Sequence, residues 1–111
     1  SQIFYIPKQA KNVQTAWLAY PILINNDVNF KRKDFQIYLE KRDIQTRVVF
    51  TGNIIRQPMM KNVKYKTNKI GYPNSDAVME RGVLLPLHHG MTNEMFTRLH
   101  ETIEEFIKKQ I

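Results

Sequence analysis

The chain has 111 residues, a hydrophobic fraction of 42% and a formal net charge of +7. That length and composition fit one domain with an ordinary core, and the lack of cysteine excludes disulfides and thiolate metal sites. The charge points to an anionic partner, whether nucleic acid, a membrane surface or a phosphorylated small molecule, although a lysine-rich solvated surface gives the same balance.

Residues 1–15 read as an extended lead-in in which Phe4-Tyr5-Ile6 can add a strand. Ala16 to Ile24 is a strand candidate, ended by Asn25-Asn26-Asp27. Pro21 cannot donate to a ladder, so an edge position or a bulge is expected there. From Arg32 to Arg42, Phe35 and Leu39 stand four apart with Tyr38 beside them, which suits one helix face. Arg47-Val48-Val49-Phe50 follows as a second strand, stopped by Gly52-Asn53. Residues 51–73 have no strong period and are broken by Pro58, Gly71 and Pro73. Asn74 is expected to cap a short helix from Ser75 to Arg81, with Gly82 at its end. Val83 to Leu87 reads as a third strand, and His88-His89-Gly90 as a turn. Thr92 can cap a final helix whose apolar face is Met95, Phe96, Leu99, Ile103, Phe106 and Ile107, with Lys108 and Lys109 where the dipole favours cations. This order predicts an α+β fold: a small sheet covered on one face by the two longer helices.

The apolar run from Ala16 to Ile24 is too short to span a membrane. Ser1 leads directly into Ile3-Phe4-Tyr5-Ile6 with no signal-type segment. The chain either starts at Ser1 or was cut there, and the missing initiator methionine favours a cut. The absence of cysteine suits a reducing cytoplasm. His88, His89 and His100 match no zinc spacing. No serine sits in a nucleophile elbow, and neither G-x-G-x-x-G nor a P-loop is present. These patterns name no catalytic, cofactor-binding or metal-ligating residue.

Two groups can bind without catalysing. Arg47, Asn53, Arg56 and Gln57 form a polar cluster leaving a strand end, and arginine suits bidentate contact with phosphate or carboxylate. His88 sits in a turn directly after a buried strand, a common place for site residues. The lysines from Lys61 to Lys69 surround one aromatic, Tyr65, which is a weak match to single-stranded nucleic-acid binding and otherwise a solvated loop.

The run from Ile44 to Pro58, with Thr46-Arg47, Phe50, Gly52-Asn53 and Arg56-Gln57-Pro58, resembles the "I-x-T-R-x-x-F-x-G-N-x-x-R-Q-P" block of the DegT/DnrJ/StrS family of pyridoxal-phosphate nucleotide-sugar aminotransferases. The block looks closest to the branch of 4-keto-6-deoxyhexose 3-dehydrases. Three further segments agree in order: Trp17 to Pro21, Lys33 to Glu40, and Leu85 to Glu94, the last with His89 where many members carry proline.

The resemblance implies the small C-terminal domain of an enzyme with the aspartate-aminotransferase architecture, an α+β domain with a small, mostly antiparallel sheet covered by helices. It implies that the lysine or histidine at the cofactor, and the cofactor's phosphate site, belong to a large domain absent from this chain. The parent would use pyridoxal phosphate to aminate a nucleotide-linked keto-sugar or to remove its C3 hydroxyl, as a homodimer. This chain would be inactive alone, holding no cofactor, with Arg47, Asn53, Arg56, Gln57 and His88 as substrate-binding residues. The alternatives are a basic nucleic-acid-binding module or a standalone interaction domain.

Overall fold

The computed structural model describes residues 2–111. Three strands pair antiparallel in the order β1 (Phe4–Tyr5), β2 (Tyr20–Ile24) and β3 (Gly82–Leu85). Three helices accompany them: α1 (Arg32–Glu40), α2 (Pro73–Arg81) and α3 (Asn93–Gln110). Two short 3-10 turns, Ile54–Arg56 and Pro58–Met60, lie in the loop before α2. The α+β class and the strand in the lead-in match the sequence expectation.

Four details differ, each for a local reason. The strand expected from Ala16 begins only at Tyr20 and lies in the centre of the sheet, not at its edge. Leu84 exchanges both backbone bonds with Arg47, so it has none to give Pro21, its partner across β2. The nitrogen of Pro21 therefore faces the β1 side. There the register of Phe4 with Ile24 and Tyr5 with Leu23 would next bring Pro7 opposite Pro21. Neither can donate, and β1 stops after two residues.

The strand expected at Arg47–Phe50 shrinks to one bridge, Arg47 with Leu84. Phe50 adopts a left-handed φ of 45°, and a tight turn carries the chain off the sheet. The helix expected to be capped by Asn74 starts at Pro73, whose missing N–H costs nothing in the first turn. The third strand ends at Leu85 because Pro86 cannot continue the ladder.

The core forms between the sheet and helices α1 and α3; α1, at nine residues, is no longer than α2. Ile22, Ile24, Val83 and Leu85 supply the sheet side, and Phe35, Leu39 and Phe106 the helix side. The Phe35 ring centroid lies 5.4 Å from Phe4 and 5.3 Å from Phe106, and Phe30 sits 4.8 Å from Phe106. α1 closes through Asp43 at φ 60°, a conformation aspartate tolerates, with the Ile44 N–H donating to the Leu39 carbonyl. α3 is capped as expected: the Thr92 hydroxyl accepts from the Met95 N–H at 3.3 Å. Its first turn is less covered than the sequence suggests, since Met95 and Phe96 are exposed. No helix among the described residues is long and apolar enough to cross a membrane.

Candidate functional site

The four residues grouped by sequence divide between two places. Arg47 is fixed at its backbone by the bridge to Leu84, and its exposed side chain lines a cleft of about 480 Å³. His88 lines the same cleft from the turn after β3. The walls are apolar, from Leu18, Val48, Phe50 and Leu87. Phe50 and Leu18 are 86% and 91% exposed, so both side chains are free to cover a ligand. The His88 Nδ1 accepts from the Gly90 N–H at 3.1 Å. In the neutral ring that bond places the proton on Nε2, which is then a donor. The cleft thus combines a guanidinium, an imidazole donor and a flat apolar surface.

Asn53 and Arg56 converge instead on Asp76 in α2, a residue the sequence patterns did not single out. The Asn53 Nδ2 donates to Asp76 Oδ1 at 2.9 Å, and the Arg56 Nη2 donates to Oδ2 at 2.8 Å. The Arg56 Nε also donates to Oδ1, completing a bidentate fork. Asn53 is buried, and its Oδ1 accepts from the Ile55 N–H at 3.3 Å, so both ends of its amide are used. Gln57 turns back onto the Thr51 carbonyl at 3.4 Å. Asn53 and Arg56 are three residues apart on one 3-10 turn, which hinted at a common target. Nothing local pointed twenty residues onward to Asp76.

The Arg56 fork, and next the Asn53 amide, hold the Asp76 carboxyl down at about 2, against an ordinary 3.8, with burial opposing them. A value lowered by folding stabilises above the unfolded value and ceases to do so as pH falls through the folded one. The anchoring by Asp76 is therefore complete above about pH 4 and disappears as the pH drops towards 2. A carbon-13 NMR titration of this carboxyl should show its inflection near the lower value; an inflection at 3.8 would contradict the bonding described.

A second groove lies on the other side of Leu85, Pro86 and Leu87, lined by Trp17, Tyr20, Phe96 and Leu99. It is mostly apolar, and His100 and Glu104 of its lining stand 3.8 Å apart. The lysines from Lys61 to Lys69 are all exposed, as is Tyr65. Among the described residues no cluster of histidine and carboxylate side chains could hold a metal.

Comparison with known proteins supports the fold. The chain is 33% identical over 94% of its length to a dTDP-4-dehydro-2,6-dideoxy-D-glucose 3-dehydratase of Saccharopolyspora spinosa, and covers 22% of that protein. It is 28% identical over 96% of its length to the lipopolysaccharide biosynthesis protein RfbH of Salmonella typhimurium, covering 24% of it. A DegT/DnrJ/EryC1/StrS aminotransferase from Brucella abortus shares the fold, with a TM-score of 0.78 at 20% identity over 94% of this chain and 26% of that one. The chain thus spans about a quarter of the length of the proteins it matches. The sequence profile of the DegT/DnrJ/EryC1/StrS aminotransferase family matches residues 1–104, and the chain belongs to that family.

Proposed function

We propose that this chain is the C-terminal small domain of a cytoplasmic pyridoxal-phosphate enzyme acting on a nucleotide-linked keto-sugar. The reaction is an amination or a C3 dehydration in the synthesis of deoxysugars for surface polysaccharides. The observation that carries this reading is the 33% identity to the Saccharopolyspora 3-dehydratase across nearly the whole chain. That likeness is what supports keeping dehydration beside amination, and the Salmonella relative supports the polysaccharide setting.

The residues present do not fit the imine-forming end of the cofactor. Every lysine in this chain is exposed, whereas an imine-forming lysine needs a desolvated pocket to lower its pKa. The reacting residue and the cofactor's phosphate site belong, on this reading, to a large domain of the same polypeptide. This chain contributes binding. Arg47 and the Nε2 of His88 donate to an anionic group, while Phe50 and Leu18 cover an apolar ring face. Arg56 keeps its Nη1 free for a second anionic contact, and Asn53 and Gln57 shape the loop that presents it.

Calorimetric titration of the full-length protein with thymidine diphosphate tests the site. Arg47→Gln should weaken binding about tenfold or more, the scale of a lost charge-assisted hydrogen bond. Unchanged affinity in Arg47→Gln would remove the cleft from the binding site. Product analysis then separates the chemistries: amination transfers nitrogen from an amino-acid donor to the sugar, and dehydration removes the C3 oxygen as water.

A further inference from the structure

From Val48 to Tyr72 the chain has almost no hydrogen bonds to the rest of the molecule. Its backbone bonds are local, such as Gly52 N–H to the Val49 carbonyl, Arg56 to Asn53, Gln57 to Ile54 and Gly71 to Asn68. Its side-chain bonds are local too, with Gln57 on Thr51 and the Asn68 N–H on the Tyr72 hydroxyl. Among the described residues, apart from the Asp76 N–H donating to the Tyr72 carbonyl where α2 begins, the exceptions all end on one group, the Asp76 carboxylate, which receives Asn53 and both arms of Arg56.

An exposed ion pair alone contributes little. This one differs in three respects. The pairing is bidentate, a third donor comes from the buried Asn53, and the two donor residues are the N-cap and the last residue of one 3-10 turn. Steric contact reinforces it: a Cβ built on Gly52 would lie 2.3 Å from the Met79 Cα, so this loop already rests on α2. The loop begins at Val48 and Phe50, which wall the cleft holding Arg47 and His88. Asp76 stands on α2, and α2 runs directly into β3, which carries the bridge to Arg47.

We propose that Asp76 is a positioning residue: it latches the 48–61 loop onto α2 so that Val48 and Phe50 form the wall of the Arg47–His88 cleft. The loop latch stands on the bonds themselves, and its effect on ligand rests on the function proposed above. Hydrogen exchange of the full-length protein, read by mass spectrometry, separates the two. In Asp76→Asn the 48–61 peptides should exchange about tenfold faster, while peptides from β2, β3 and α3 change less than about twofold. Arg56→Ala, which leaves the Asn53 bond in place, should give a smaller acceleration in the same peptides.

Unchanged exchange in the loop, or an equal rise across all peptides, would overturn the latch. Introduced into Arg56→Ala, so that the anionic contact given to Arg56 is already gone, Asp76→Asn should weaken thymidine diphosphate binding about fivefold further, though the change touches neither Arg47 nor His88. Affinity equal to that of Arg56→Ala would sink the link to the cleft. If the wild type itself does not bind thymidine diphosphate, the binding role proposed for the cleft fails and the exchange data still decide the latch.

Discussion

Phe35→Ala is expected to cost about 3–5 kcal/mol of folding stability, the range for removing a buried aromatic ring. Phe35 is wholly buried at the point where α1, α3 and the sheet meet. Its ring touches Phe4 of β1, Phe30 of the loop before α1 and Phe106 of α3, with centroids 5.4, 6.2 and 5.3 Å away. Three separate elements would lose packing at once, and none can collapse into the space without leaving another contact. Domains carry only about 5–15 kcal/mol in total, so this change removes a large share of it. Chemical denaturation of Phe35→Ala should show the loss as a lower midpoint. Phe35→Leu, which keeps most of the volume, should cost clearly less. Equal midpoints for wild type and Phe35→Ala would mean that the three-ring contact does not hold the helices to the sheet.

The second large effect is expected at Gly52. It combines φ of 70° with a Cβ position only 2.3 Å from the Met79 Cα. The left-handed backbone costs an alanine about 1–2 kcal/mol. The overlap is with helix backbone, which cannot rotate away as a side chain end could, and overpacking of this kind costs about 1–3 kcal/mol more. Gly71 is the internal control: its φ is 74°, but nothing lies within 4 Å of its Cβ direction. Gly71→Ala should therefore show the backbone part alone. Denaturation midpoints of the two variants give the steric part by difference, and equal losses would show that α2 and the loop can separate freely.

Legibility in the sequence followed the range of the interactions. α3 was readable because its cap and its face are written within a few residues of each other, from Thr92 to Ile107. The same held for Phe35 and Leu39 in α1. The place of β2 in the sheet was not readable, because it depends on what pairs at each side of Pro21. The segment from Arg47 to Phe50 has strand composition, yet the positive φ of Phe50 and the turn to Gly52 end it after one bridge. At the candidate site, family resemblance and residue chemistry picked out Arg47, Asn53, Arg56, Gln57 and His88. Their sorting into a cleft pair and a loop anchor depends on Asp76, whose partners lie twenty and more residues upstream.

Pro21 within β2 and Pro7 just beyond β1 have a consequence for the molecule in company. β1 covers only the last two residues of β2, which leaves the stretch from Tyr20 to Ile22 open on that side. An uncovered strand side ordinarily invites an extended segment of a neighbouring molecule to add itself there. In this chain the outward backbone position is Pro21, which offers an incoming strand no N–H. The neighbouring segment carries its own proline at residue 7, which cannot supply one either. The residues that halt β1 therefore also guard the sheet against intermolecular strand addition, and they do so without a charge or a covering helix.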